Sequence, residues 1–159
     1  MNRLNFMIGT LAILGGLGLV SRAQVPDNNR PLGTWLVTVT PPASIPGFNV
    51  LYTFAAGGAL ITTSQIDHQV PNTGILQGSW QRGDGGEINS TLVAFLYGPT
   101  GTAIGTLKLR ATYKFGDADS FTGIGQQAIC DLNVSNCNWL PGSASLTGAR
   151  LKVEEPVGP

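Results

Sequence analysis

The chain has 159 residues, of which 11% are charged and 22 are glycine. This length favours one domain, and low charge with many glycines is typical of short strands and turns rather than of a helical bundle. The formal net charge is zero. Without residues 1–23 it is −2, because the loss of Arg3 and Arg22 reduces the Lys and Arg count from 9 to 7 against 9 Asp and Glu. A nucleic-acid partner is therefore not expected.

Residues 1–23 have the features of a secretory signal peptide. Arg3 provides the positive start, residues 7–20 are apolar, and Ser21-Arg22-Ala23 places small residues at positions −3 and −1 of a cut before Gln24. The apolar stretch is short for a membrane span, although a permanent N-terminal anchor is the alternative interpretation. No later stretch reaches the ~18 apolar residues of a spanning helix. We expect an exported chain, periplasmic or secreted, with no membrane span after cleavage.

The rest of the chain is predicted to be a flexible leader at 24–32, a β-domain at 33–153 and a proline-containing tail at 154–159. Within the domain, segments rich in β-branched and aromatic residues alternate with clusters of glycine, proline and aspartate. Eight such segments predict strands: Gly33–Thr40, 48–55, Ala59–Ser64, 75–82, 87–97, Ala103–Phe115, 120–132 and 143–153.

Short turns between these segments predict hairpins along the whole chain. The predicted fold is therefore all-β, a single eight-stranded antiparallel up-and-down barrel, which leaves no exposed strand edge. Several glycines lie inside strands and permit the sharp bends of a small closed barrel: Gly78, Gly105, Gly123, Gly125 and Gly148. The alternative is a two-sheet β-sandwich, which hairpin-length connections disfavour.

The sequence of the sixth predicted strand indicates which of its two faces points into the barrel. One row is apolar, with Leu107, Leu109, Ala111, Tyr113 and Phe115, and the other contains Lys108, Arg110 and Lys114. Burying three unpaired cations would cost several kcal/mol each, so the apolar row is predicted to face the interior. In the opposite arrangement Arg110 would need a carboxylate partner, with Glu87 and Asp119 as candidates.

The predicted interior combines this row with aromatic residues of other strands. It is either filled by side chains or holds one small ligand. If it holds a ligand, the predicted binding residues are Trp35, Tyr52, Phe54, Trp80, Leu109, Tyr113 and Phe121.

Cys130 and Cys137 are the only cysteines. In an exported protein such a pair predicts a disulfide, here one that closes the loop before the last strand. A redox site is not expected because the spacing is not C-x-x-C, and a metal site is not expected because no histidine or second cysteine pair is near. Asp117 and Asp119 are interpreted as turn residues rather than calcium ligands.

No residue is assigned a catalytic role. The only histidine, His68, lies in a polar loop and is either a solvated loop residue or a functional one. The chain has no G-x-S-x-G, phosphate-binding or dinucleotide-binding motif, so no cofactor is predicted.

Five short motifs resemble a known group of proteins: G-T-W at 33–35, T-F-x-x-G-G at 53–58, G-S-W-x-R at 78–82, F-L-Y-G at 95–98 and D-S-F-T-G at 119–123. The group consists of exported bacterial proteins with lipocalin-like or allene-oxide-cyclase-like barrels. The resemblance covers about 33–153. It implies the barrel fold and supplies no catalytic residue.

Three functions are compatible with these features. The first is a secreted barrel that binds a small hydrophobic ligand in its interior. The second is a cofactor-free cyclase or isomerase whose cavity holds one substrate conformer, which a buried polar pair such as Arg110 with Glu87 would indicate. The third is a structural or interaction scaffold with a packed interior.

Overall fold

The structure is a computed structural model that describes residues 31–42, 45–67 and 73–156. These ranges contain no helix. Their strands are β1 (Gly33–Thr40), β2 (Phe48–Phe54), β3 (Ala59–Ser64), β4 (Leu76–Arg82), β5 (Ile88–Tyr97), β6 (Ala103–Phe115), β7 (Ser120–Cys130), β8 (Cys137–Trp139) and β9 (Ala144–Arg150). The all-β prediction is confirmed, and the eight predicted strands are present with small differences at their ends.

The strands close into an eight-stranded antiparallel barrel. Each strand from β1 to β7 pairs with the next, β7 pairs with β9, and β9 pairs with β1. The barrel prediction is therefore confirmed, and the chain does not form a two-sheet sandwich. The sequence did not predict β8, a three-residue strand that pairs with the last residues of β7 outside the closed circuit.

The barrel has two different ends. The turns at 55–58, 83–87 and 116–119 lie at one end, which we call the closed end. The described parts of the longer connections, at 41–42, 45–47, 65–67, 73–75 and 131–143, lie at the other, which we call the open end, together with the turn at 98–102. This arrangement follows from the antiparallel order, in which β1, β3, β5 and β7 run toward the open end and β2, β4, β6 and β9 run away from it.

Aromatic rings fill the closed half of the barrel. Trp35 packs edge-on against Phe115 and Phe121, with ring centroids 5.2 and 5.3 Å apart, and Phe54 packs against Tyr113 at 5.6 Å. Gly148 makes room for this cluster, because a Cβ there would overlap the Phe121 ring. Edge-to-face packing of this kind adds to the free energy gained from burial.

Backbone and charged groups seal the closed end below the rings. The Trp35 indole Nε1 donates to the Pro31 carbonyl at 2.9 Å, and the Arg150 guanidinium lies 4.2 Å from the Trp35 ring centre. Arg150 also donates to the carbonyls of Leu32 and Ala118. The last two residues of the predicted leader are thus part of this seal, whereas the predicted signal peptide and the leader before Pro31 lie outside the described residues.

A disulfide joins Cys130 and Cys137 between β7 and β8, as predicted. The connection between them is organised by the Asp131 carboxylate, which accepts hydrogen bonds from the backbone of Asn133, Ser135 and Asn136. These hydrogen bonds lower the pKa of Asp131 below its ordinary value. The disulfide fits a non-cytoplasmic compartment. The described ranges contain no helix with the length and apolarity that a membrane crossing requires.

Candidate ligand-binding site

A cavity of about 580 Å³ occupies the open half of the barrel, above the aromatic cluster. Its wall consists mainly of inward-facing apolar residues from six of the eight barrel strands. They include Val39, Phe48, Val50, Leu76, Leu92, Leu107, Leu109, Ala111, Ala144 and Leu146. A cavity of this size lies within the ~300–1,000 Å³ range of sites that bind small organic molecules.

The cavity exists because inward side chains become smaller from the closed end to the open end. Along β6 the inward row changes from Phe115 and Tyr113 to Ala111 and Leu109. On the neighbouring β7 it changes from Phe121 to Gly125, which pairs directly with Ala111. Large rings therefore fill one half of the barrel, and small residues leave volume in the other.

Three residues with hydroxyl groups, Tyr52, Thr62 and Tyr113, line the part of the cavity nearest the aromatic cluster, and Ser90, which does not line it, holds Tyr113. The Tyr113 hydroxyl lies 2.9 Å from Ser90 Oγ, and the Tyr113 ring packs edge-on to that of Tyr52 with centroids 6.0 Å apart. Thr62 lies directly opposite Tyr52 in the β2–β3 register and lines the same cavity. Its Oγ1 is buried and has no hydrogen-bond partner among the described residues. We call Tyr52, Thr62, Ser90 and Tyr113 the hydroxyl cluster.

The hydroxyl cluster is uncharged at neutral pH. Burial raises the pKa of Tyr52 to about 12, and burial together with the neighbouring Tyr52 raises the pKa of Tyr113 well above its ordinary value. Both phenols therefore remain protonated and can donate hydrogen bonds. The arrangement can orient a polar group of a bound molecule but offers no ionised base beside it.

The mouth of the cavity is formed by the connections at the open end. Its described residues include Pro41, Pro42, Ile45, Ile66, Asp67, Leu140 and Pro141. The Asp67 carboxylate accepts a hydrogen bond from the Ser64 amide at 2.7 Å. His68, the sequence candidate of the same connection, lies outside the described residues, so its predicted role stays a prediction.

The residues predicted to bind a ligand fall into two groups. Tyr52, Leu109 and Tyr113 line the cavity. The other four, Trp35, Phe54, Trp80 and Phe121, belong to the packed closed half or lie against it, and the Trp80 indole donates to the Ala55 carbonyl at 3.1 Å. Sequence reasoning missed Thr62 and Ser90, although each is a polar residue at an inward position of an alternating strand, between Leu60 and Ser64 and between Ile88 and Leu92 respectively.

The cationic row of β6 faces outward, and the apolar row faces the interior, as expected. The Arg110 guanidinium stacks 3.7 Å from the Trp139 ring centre on the outside of the barrel. Glu87 contacts Asn89, and Asp119 pairs with Arg150 and Lys152, so neither candidate carboxylate pairs with Arg110. The pair of Arg110 with Glu87, given above as an example of a buried polar pair, is not formed. The described residues also contain no group of His, Cys, Asp or Glu side chains that could hold a metal ion.

Comparison with known proteins gives no family for this chain, because no family model matches it and no curated protein is significantly similar. The resemblance to exported bacterial barrels rests on its five short motifs and stays a prediction. The function of the site is therefore inferred from its geometry.

Proposed function

We propose that this protein is an exported β-barrel that binds one small, mainly apolar molecule in the cavity at its open end. The observation that supports the proposal is the cavity itself, about 580 Å³ in volume, with apolar walls and access at the loop end. Filled barrel interiors are close-packed with few voids larger than a water molecule, and a small barrel that is not filled has room for one small ligand. The open half is not filled by side chains, which disfavours a scaffold with a packed interior.

The two halves of the barrel have different roles in this proposal. The ring cluster around Trp35 and Phe121 supplies stability and a rigid floor. Leu92, Leu109 and Leu146 then contact the apolar body of the ligand, since they line the cavity from three different strands. Transfer of the ligand's apolar surface from water to this wall provides most of the free energy of binding.

The proposal also places the protein outside the cytoplasm. The predicted signal peptide at 1–23 would direct the chain out of the cytoplasm, and the Cys130–Cys137 disulfide suits an oxidising compartment. A secreted or periplasmic barrel could then sequester or carry a molecule that is poorly soluble in water.

A titration of the exported protein with the neutral fluorophore N-phenyl-1-naphthylamine tests the proposal. We expect a saturable increase in emission with one site per chain, and a rise in melting temperature with ligand concentration, because binding to the folded state stabilises it. Emission that increases linearly without saturation, together with an unchanged melting temperature, would contradict the proposal.

A further inference from the structure

We infer that the hydroxyl cluster recognises one uncharged oxygen group of the bound molecule, an alcohol or a ketone, with Thr62 as the residue that makes the new hydrogen bond. This inference rests on the proposed ligand-binding function and assigns the chemistry of the ligand. It implies an apolar molecule that enters with a single polar group directed toward the aromatic cluster.

The first reason for this inference is the Thr62 hydroxyl, unpartnered among the described residues. Its side chain is 2% exposed, and its Oγ1 has no partner in the described part of the chain. Buried polar atoms nearly always have a hydrogen-bond partner, because an unpaired one loses its bonds to water without replacement. Thr62 lines the cavity but its Oγ1 has almost no accessible surface, so a molecule inside would supply that partner after a rotation about the Thr62 Cα–Cβ bond.

The neighbouring hydroxyls are the second reason. Tyr52 lies beside Thr62 across the β2–β3 pair, and its ring is 6.0 Å from that of Tyr113. Tyr113 is in turn fixed by Ser90. A hydroxyl group can donate one hydrogen bond and accept others, so Tyr52, which is 4% exposed, keeps capacity for a ligand oxygen, while the fully buried Tyr113 supports it from behind. The cluster thus places hydroxyl groups at the aromatic end of a mainly apolar cavity, whose other uncharged polar lining residues are Ser64, Thr73, Gln126 and Gln127.

The third reason is the position of the charged residues around the cavity, which disfavours an ionised group on the ligand. Asp67 and Arg110 are the charged residues along the described wall. Asp67 is at the mouth, and the guanidinium of Arg110 stacks on Trp139 outside the barrel. A ligand carboxylate at the hydroxyl cluster would lose its hydration without gaining a cation, which is costly. The site should therefore prefer an alcohol to a fatty acid of the same length.

Matched probes test this inference on the exported protein. Displacement of N-phenyl-1-naphthylamine gives the affinities of 1-decanol, 2-decanone, decanoate and 1-chlorodecane, in which chlorine replaces the hydroxyl. We expect 1-decanol or 2-decanone to bind about fivefold or more tightly than 1-chlorodecane, the value of one net hydrogen bond, and decanoate to bind more weakly than 1-decanol.

Substitutions at Thr62 test whether its hydroxyl makes the hydrogen bond to the ligand oxygen. Thr62→Val keeps the shape and removes the hydroxyl, so the affinity ratio of the preferred oxygen probe to 1-chlorodecane should fall about fivefold. Thr62→Ser keeps the hydroxyl and should retain the ratio. Thr63→Val, at the adjacent exposed position on the outer face, is the control and should leave the ratio unchanged.

The outcomes separate the two proposals. Displacement by all four probes with an unchanged ratio in Thr62→Val would overturn the inference and leave the binding function standing. Tighter binding of decanoate than of 1-decanol would overturn the uncharged chemistry. The absence of saturable fluorophore binding would overturn the proposed function and this inference with it.

Discussion

Tyr113 of β6 lies edge-on to Tyr52 of β2, with ring centroids 6.0 Å apart and ring planes at 88°, where the aromatic cluster meets the cavity. The two residues belong to both halves of the barrel. Their rings continue the packing of Phe54, and their hydroxyls belong to the polar part of the cavity wall. The stability of the barrel and the chemistry of its site therefore depend on the same pair.

The protein should lose stability at alkaline pH through these tyrosines. The pKa of Tyr52 is about 12 in the folded state against 10.0 when unperturbed, so the unfolded state releases its proton first. The contribution is fully present below pH 10 and decreases as pH rises from about 10 to about 12. Tyr113 adds to the decrease, since burial also raises its pKa.

Urea denaturation at pH 9 and pH 11 measures this effect. We expect a lower free energy of unfolding at pH 11, with about 1 kcal/mol of the decrease due to Tyr52. Tyr52→Phe removes the contribution of Tyr52, so its free energy of unfolding should fall less between pH 9 and pH 11. An equal decrease in the wild type and in Tyr52→Phe would contradict the assignment.

Two leucines should differ in their contributions to stability. Leu60 is 1% exposed within the packed core, whereas Leu109 is partly buried at the cavity wall. We expect Leu60→Ala to cost about 4 kcal/mol and Leu109→Ala about 2 kcal/mol, because truncation at a cavity wall breaks fewer contacts. Lys108→Ala, next to Leu109 but on the outer face, should cost well under 1 kcal/mol. Chemical denaturation measures all three, and a Lys108→Ala cost above that of Leu109→Ala would reverse the assigned faces.

Gly148 and Gly125 provide a test of packing in the two halves. A Cβ at Gly148 would overlap the Phe121 ring, whereas the nearest atom to a Cβ at Gly125 would be Leu146 Cδ1 at an ordinary 3.5 Å. Gly148→Ala should therefore destabilise the fold by about 1–3 kcal/mol. Gly125→Ala should be near neutral, since the cavity accommodates the methyl group. Similar melting temperatures for the two variants would show that the closed half is not close-packed.

The strands and their inward faces could be predicted because alternation in segments such as Ala103–Phe115 is a local signal. The cavity could not be predicted, because it depends on small residues of different strands, Ala111, Gly125 and Ala144, that meet only when the barrel closes. β8 was missed because Cys137–Trp139 is too short to show alternation. Nor could it be predicted that Thr62 Oγ1 has no partner within the described ranges, since this depends on every neighbour of one oxygen atom.

The disulfide should stabilise the connection at the open end. It closes a short loop, with seven residues of sequence separation, for which the chain-entropy relation gives about 2–3 kcal/mol. We expect the double variant Cys130→Ser with Cys137→Ser to lose about 2 kcal/mol in chemical denaturation, because the hydrogen bonds to Asp131 still organise part of the loop. Native protein should show no free thiol when titrated in denaturant, and two free thiols would contradict the bridge.

The location of ligand binding is the most direct test of the proposed function. Ala111 faces the cavity, and the adjacent Thr112 is exposed on the outer face of the same strand. Ala111→Phe should fill the cavity, and Thr112→Phe adds the same ring outside it. We predict that the affinity for N-phenyl-1-naphthylamine falls at least about tenfold in Ala111→Phe and stays within about twofold of the wild type in Thr112→Phe. Equal affinities in the two folded variants would place binding outside the barrel and contradict the proposal.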